Sequence, residues 1–305
     1  MSRIHEALKR AEEEKIAQGR VETAEQRPAR EPEPEQAAPA RETEIAVSLA
    51  GNGFALDALT FEGLVSRCPQ PDWKPDTKTM LFFRKENHQY DAEIFRTLRS
   101  RLYRIRDNGT LRTLLVTSTL PGEGKSVIAA NLAQVIAQQH GRRALLVDAD
   151  LRAPRLHKVL GAPQTPGLTE YLRGEADEAT AIQKSPHNDL FCLPSGTLPA
   201  NPVELISNGR LNRLLDRMAS IFDWVILDSP PMIPVSDASL LANLCDGVLL
   251  VVKAAATPFD LAQKARAEVG NTPVVGVVLN GVRRGSSYGA EYYSYYGYTS
   301  EKHKG

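Results

Sequence analysis

The sequence predicts an α/β fold: a mostly parallel sheet with helices on both of its faces. Two observations carry this. Short apolar runs recur at residues 113–118, 144–147, 224–227, 247–252 and 274–279, separated by stretches with helical patterning. Continuous apolar runs of that length, rich in β-branched residues, are strands buried on both faces, as in parallel sheets. A glycine-rich turn follows the first run and aspartates follow two others, so polar chemistry gathers at one edge, where doubly wound sheets bind ligands.

Taken in order, residues 1–18 read as a helix, with Ile4, Leu8 and Ala11 at helical spacing and Ser2 as an N-cap. A helix this short is weak alone in water, which suits a docking element. Residues 19–44 read as a linker, since Pro28, Pro32, Pro34 and Pro39 stand among Glu, Ala and Gln and cannot build a core. Residues 45–79 show broken apolar patches and are assigned no chemistry. A helix is expected over 91–106, with Ile94, Leu98 and Leu102 as its core stripe. Another is expected over 125–139, ended by Gly141 as C-cap, and a third over 208–220; residues 201–206 read as a capped helix start. The expected organisation is therefore 1–18 helix, 19–79 linker and undefined segment, 80–284 α/β domain and 285–305 flexible tail.

Composition excludes several classes. Lys and Arg number 37 against 37 Asp and Glu, so no net field points to nucleic acid. Cys68, Cys192 and Cys245 are widely spaced and read as free thiols of a reducing compartment. The longest apolar runs are strand-sized, far short of the roughly 20 residues of a membrane span. The expectation is a cytoplasmic protein that meets the inner membrane only through a partner. The six histidines show no metal-ligand spacing.

The segment TSTLPGEGKS (117–126) joins a predicted strand to a predicted helix. Gly122 and Gly124 permit the backbone to approach phosphate oxygens, and the helix N-terminus adds its positive dipole end. Gly122, Glu123, Gly124, Lys125, Ser126 and Val127 form the expected nucleotide-binding loop and helix start. Lys125 faces the β- and γ-phosphates of ATP, and the Ser126 hydroxyl ligates Mg²⁺. Thr119 replaces the first glycine of the G-x-x-x-x-G-K-[ST] pattern. LLVDADLR (145–152) sets Asp148 and Asp150 beyond a strand, and VILDSPP (225–231) does the same for Asp228. These carboxylates and Ser126 are the expected Mg²⁺ shell.

Together these residues resemble the bacterial tyrosine kinase family (BY-kinases), the autokinases of exopolysaccharide and capsule production, over roughly residues 90–298. Residues 121–126 resemble that family's Walker A, 146–152 its acidic Walker A′ and 225–231 its Walker B. The resemblance implies that Lys125, Asp148, Asp150 and Arg152 are catalytic, with Asp148 the base for a tyrosine hydroxyl and Arg152 near the phosphates or an interface. It implies that Asp228 supports the metal and Asn280 reads the adenine. The motifs of eukaryotic kinases are missing. The partitioning and division-site ATPases, the alternative P-loop switch, carry a signature lysine where this chain has Leu120. An inactive scaffold is disfavoured by the intact Lys125, Ser126 and aspartates.

Six of the nine tyrosines, Tyr288, Tyr292, Tyr293, Tyr295, Tyr296 and Tyr298, crowd the last eighteen residues among Gly and Ser. No large aliphatic residue accompanies them, so an exposed tail is expected, and the family's autophosphorylation cluster occupies this place. Glu93, Arg96 and Arg99 stand at three-residue steps on one side of a helix. The resemblance makes that face the contact between subunits of a homo-oligomeric ring. It further implies a separate membrane-bound polysaccharide co-polymerase as activator and a protein tyrosine phosphatase as opponent.

Overall fold

Alternation along the central strands decides the layering. Leu115, Leu145, Val147, Val225 and Leu227 point to one core, and Leu114, Val116, Leu146, Trp224 and Ile226 to the other. Because successive side chains of a strand face opposite ways, a sheet of such strands needs helices on both sides. The computed structural model describes residues 60–83, 89–107 and 109–282. The expected N-terminal helix and linker and the tyrosine-rich end lie outside the described residues.

The described chain opens with α1 (Phe61–Arg67), a 3-10 turn (Leu81–Phe83) and α2 (Gln89–Asp107). Then follow β1 (Thr113–Ser118), α3 (Lys125–Ala137), β2 (Ala144–Asp148), α4 (Leu156–Leu160), α5 (Leu168–Arg173), α6 (Glu178–Ala181), β3 (Gln183–Lys184) and β4 (Leu190–Leu193). The chain continues through α7 (Pro202–Ser207), α8 (Arg210–Ile221), β5 (Trp224–Asp228), α9 (Asp237–Ala242), β6 (Gly247–Lys253), α10 (Phe259–Glu268) and β7 (Val274–Asn280). The seven strands order as β3-β4-β2-β5-β1-β6-β7. All pairings are parallel except the short β3–β4 pair at one edge. The chain works outward from β1 toward β2 and β4, then returns to place β5 and β6 on either side of β1. The crevice at the carboxyl end of β1 is thus the topological switch point.

Helix α3 is buried at twelve positions, from Lys125 to Ala137. It lies in the second core, with Phe95 and Leu102 of α2 over it and Leu156 and Leu160 of α4 beside it. The first core takes α1, α5, α8 and α9 through Leu64, Leu172, Leu214 and Leu241.

Several boundaries differ from expectation. Residues 60–79, read from sequence as undefined, belong to this domain. Thr60 Oγ1 accepts the Gly63 N–H at 3.1 Å and caps α1, Leu64 is fully buried, and the Phe61 ring meets Phe191 and Phe222 edge-on. Farther on, Lys74 N–H donates to the Gly161 carbonyl, and Asp76 N–H to that of Val159, both at 3.1 Å. A β-carbon at Gly161 would lie 1.9 Å from the Lys74 carbonyl oxygen, so this close approach requires glycine. The core stripe of α2 is Phe95, Leu98 and Leu102, not the set beginning at Ile94, which is 47% exposed. Helix α3 stops at Ala137 with Gln138 as its cap; Gly141, at φ +69°, lies beyond it and turns the chain toward β2. The helix expected after Asn201 forms with Pro202 at its first turn, but the Asn201 side chain makes no capping bond. Edge strand β7 leaves Val277 and Leu279 exposed, because no helix covers that stretch of its face among the described residues. All three cysteines are free, and no described helix is long and apolar enough to cross a membrane.

Since α1 fills the first core, Leu64→Ala should cost ~2–4 kcal/mol and lower Tm by roughly 5–15 °C. Thermal unfolding followed by circular dichroism checks this; an unchanged Tm would mean that α1 is not part of the folding unit.

Candidate functional site: a glycine-rich loop against an acidic strand edge

The loop between β1 and α3 is held by its own polar groups. Ser118 Oγ donates to the Leu120 carbonyl at 2.9 Å. The buried Glu123 carboxylate accepts the Leu120 N–H at 3.0 Å and, through its other oxygen, the Thr257 hydroxyl. Thr257 Oγ1 in turn accepts the Lys253 N–H at 2.8 Å, so the loop is tied to the turn between β6 and α10. Asn280, the last residue of β7, donates from Nδ2 to the Glu123 carbonyl at 2.8 Å. Gly124 has φ +97°, and a β-carbon there would stand 2.2 Å from Asn280 Nδ2. Glycine is needed at 124 both for its backbone angle and for this approach. Gly122, at φ +80°, is exposed beside it, and Val127 is half-buried one turn into the helix.

Lys125 and Ser126 open α3 and are both buried. The Lys125 ammonium donates to Asp150 Oδ2 at 2.8 Å, stands 3.7 Å from Asp228 Oδ1 and lies 3.5 Å from Ser126 Oγ. Burial works against its charge, but Asp228 and Asp150 outweigh burial and raise its pKa.

Asp148 and Asp228 are the last residues of β2 and β5 rather than lying beyond them, and they are direct partners in the ladder. Parallel pairing therefore puts two buried carboxylates on adjacent strands. Burial pushes Asp148 well above the usual carboxylate range, with Asp228 adding to the rise. Burial likewise raises Asp228 to about 6, against the pull of Lys125. Asp148 Oδ2 accepts the Leu156 N–H at 3.0 Å. Asp148 Oδ1 and both Asp228 oxygens are buried without a hydrogen-bond partner. Asp150 Oδ1 accepts the Ala153 N–H at 3.0 Å, which sets the turn after β2.

Those orphaned oxygens, with Ser126, fit a divalent cation. Among the described residues no three acidic, histidine or cysteine side chains form a ready-made metal group. Mg²⁺ commonly takes only one or two carboxylates and completes its shell with water and phosphate oxygens.

Arg152 bonds outside this cluster. Its Nε and Nη2 donate to the fully buried Asp237 of α9 at 2.7 and 3.0 Å. On α2, Glu93 and Arg96 pair with each other. Arg99 donates instead to the Val135 carbonyl at 2.8 Å, in the last turn of α3. Tyr288, Tyr292, Tyr293, Tyr295, Tyr296 and Tyr298 lie outside the described residues. Sequence reasoning missed the roles of Thr257, the Glu123 side chain and Asp237. The only local signal for the last was an acid in the first turn of a short apolar helix.

In the metal-free, nucleotide-free protein, the raised Asp228 pKa stabilises the fold below about pH 4, and that contribution is lost as pH rises through about 6. The shift corresponds to a penalty on the order of 3 kcal/mol for ionising Asp228. Asp228→Asn should therefore raise Tm at pH 7.5 in EDTA by several degrees, and the gain should shrink at pH 5, where the wild-type carboxyl is protonated. Melting curves at the two pH values check this.

Comparison with known proteins places the same residues in context. Residues 114–295 match the model of the CobQ/CobB/MinD/ParA nucleotide binding domain. The tyrosine-protein kinase YwqD of Bacillus subtilis is 37% identical over 216 residues, spanning 70% of this chain and 89% of that protein. Among solved structures, the chimerical protein CapA2B2 superposes with a TM-score of 0.62 at 31% identity, covering 72% of this chain and 98% of the other. The kinase domain of the Escherichia coli tyrosine kinase ETK does so at 0.61 and 31%, covering 64% and 77%.

Proposed function

Because the chain belongs to the bacterial tyrosine-protein kinases, within the CobQ/CobB/MinD/ParA nucleotide-binding family, we propose that it transfers the γ-phosphoryl group of Mg-ATP to tyrosines, those of residues 288–298 first. The observation that carries this reading is the cluster at the switch point. A buried ammonium heads α3 between Asp150 and Asp228, and Asp148, a buried carboxylate of raised pKa, stands beside them.

In phosphoryl transfer the protein mainly positions groups and neutralises charge. Lys125 exchanges Asp150 for the β- and γ-phosphate oxygens, which the loop N–H groups around Gly122 and Gly124 also bind. Asn280, at the end of β7 and bonded to the loop, reads the base. Ser126, Asp148, Asp150 and Asp228 are the residues that would hold Mg²⁺, which supplies charge neutralisation on the phosphates. Asp148 takes the proton of the attacking tyrosine. A hydroxyl of pKa near 10 needs such a base at neutral pH, and Asp148 serves as one in its ionised form, which a cation held beside it would favour. Arg152 acts on this view by fixing the turn through Asp237.

The chain would regulate exopolysaccharide or capsule assembly as a homo-oligomeric ring. It would be activated by a separate membrane-bound polysaccharide co-polymerase and opposed by a tyrosine phosphatase. The outer face of α2 supports the ring: Glu93 and Arg96 are exposed beside Ile94, an apolar side chain without a core to enter.

Incubation of the purified protein with Mg-ATP should give phosphotyrosine in residues 288–298, absent in Lys125→Met and after truncation at Gly285. ATP hydrolysis without phosphotyrosine, even with the activator's cytoplasmic segment present, would instead mark a partitioning-type ATPase switch. For the ring, Arg96→Glu should yield a folded monomer by light scattering, because its only described partner is Glu93 of its own helix. Arg99→Glu should also lower Tm, because it loses the bond to Val135. An unchanged oligomer in Arg96→Glu would remove this face from the interface.

A further inference from the structure

On the sheet face opposite α3, a cleft of about 490 Å³ opens between α5 and α8, lined by Tyr171, Arg210, Arg213, Asp216 and Arg217. None of these residues belongs to the nucleotide site, and the reaction proposed above makes no use of them. Tyr171 is buried and forms the floor. The Arg210 guanidinium lies over its ring at 5.2 Å, and Arg217 donates to its hydroxyl at 3.3 Å. Asn208 fastens the two walls: its Nδ2 donates to the Leu172 carbonyl at 3.2 Å, and its Oδ1 accepts the Arg210 N–H at 2.9 Å. Arg210 and Arg217 are thus preorganised, while Arg213 stands exposed at the edge of the cleft.

Their charges are only partly offset. Arg217 pairs with Glu178. Asp216 stands at the rim and accepts from Asn212 at 3.4 Å. Among the described residues, Arg210 and Arg213 have no acidic partner, and Arg210 Nε is buried without an acceptor. Buried donors and adjacent like charges without acceptors are costly, and a doubly charged oxyanion answers both.

We propose that this cleft binds phosphotyrosine, and that its occupant is the tyrosine-rich segment 288–298 of this chain, from the same or another copy, once phosphorylated. Guanidinium forks match phosphate oxygens in pairs, and guanidinium planes also stack on aromatic rings. The volume is larger than a phosphate group needs and admits the ring that carries it. The segment supplies six such rings, and each phosphate adds about −1.5 to −2 charges. The inference rests on the tyrosine-kinase reading for the source of the phosphate, but the cleft can be tested without it.

The test measures fluorescence anisotropy of a synthetic peptide of residues 287–299, phosphorylated on Tyr295 or not, against the full-length Lys125→Met protein. That protein cannot load its own tail with phosphate. The phosphopeptide should bind at least tenfold more tightly than the unphosphorylated one. Arg213→Ala, an exposed position whose loss should leave Tm unchanged, should weaken phosphopeptide binding at least fivefold, and Arg210→Gln should do the same. Equal binding of both peptides, or full binding by Arg213→Ala, would overturn the assignment. So would competition by inorganic phosphate at the same concentration as the phosphopeptide, since the cleft would then be a simple anion site. Autophosphorylation is scored separately, with the activator's cytoplasmic segment present: binding without phosphotyrosine production by wild-type protein would sink the kinase reading and leave the cleft, and the reverse would sink only the cleft.

Discussion

One buried ammonium set against three buried carboxylates is the constraint on which the rest of this structure depends. Lys125 meets Asp150 at 2.8 Å and Asp228 at 3.7 Å, while Asp148 is held beside Asp228 by strand register. Charges of one sign in so dry a place are tolerable only if some are protonated or neutralised from outside. The raised pKa values of Asp148 and Asp228 express that tension. The parallel sheet creates it, because β1, β2 and β5 lie side by side and end at one edge. Helix α3, starting at that edge, brings the lysine and the positive end of its dipole. A fold built of apolar strands thus concentrates nearly all its buried charge at a single crevice.

The parts that were legible in the sequence are those governed by local rules. Strands β1, β2, β5, β6 and β7 show as unbroken apolar runs, and the Gly-Glu-Gly-Lys-Ser turn announces the loop. Strands β3 and β4 and helices α4, α5, α6, α9 and α10 were not read, since they are short or weakly periodic. The segment from 60 to 79 looked undefined because its prolines and glycine break the local pattern. Its order comes from distant partners: Phe61 enters an aromatic cluster with Phe191 and Phe222, and Lys74 bonds to Gly161. No window of sequence contains both halves of such contacts.

The same limit shaped the reading of the sites. Glu93, Arg96 and Arg99 share a helix face by spacing alone, yet their roles divide. Arg99 reaches the Val135 carbonyl in the last turn of α3, where backbone acceptors lack helical partners and a cation is favoured. It is at least in part an intramolecular clamp between α2 and α3. Arg152 was expected near phosphates or at an interface, but its two bonds go to Asp237, 85 residues away in sequence. Motif logic found the residue and its neighbourhood; only the packing of α9 supplied its partner.

The glycine-rich loop and the end of β7 are mechanically joined. Glu123 binds the loop backbone at Leu120, the hydroxyl of Thr257 and, through its carbonyl, Asn280. A ligand group held by Asn280, as the proposed function has it, would therefore bear on the same loop. On the proposed function, a phosphate that drew Lys125 away would strip Asp150 and Asp228 of the cation that now offsets them. Two anionic groups would then face an anionic ligand in a site that excludes water, an arrangement that strong desolvation makes untenable. On the proposed function, charge balance is met if the nucleotide arrives with a divalent cation. Thr257 and Asn280 brace the loop in the left-handed turns that its glycines allow.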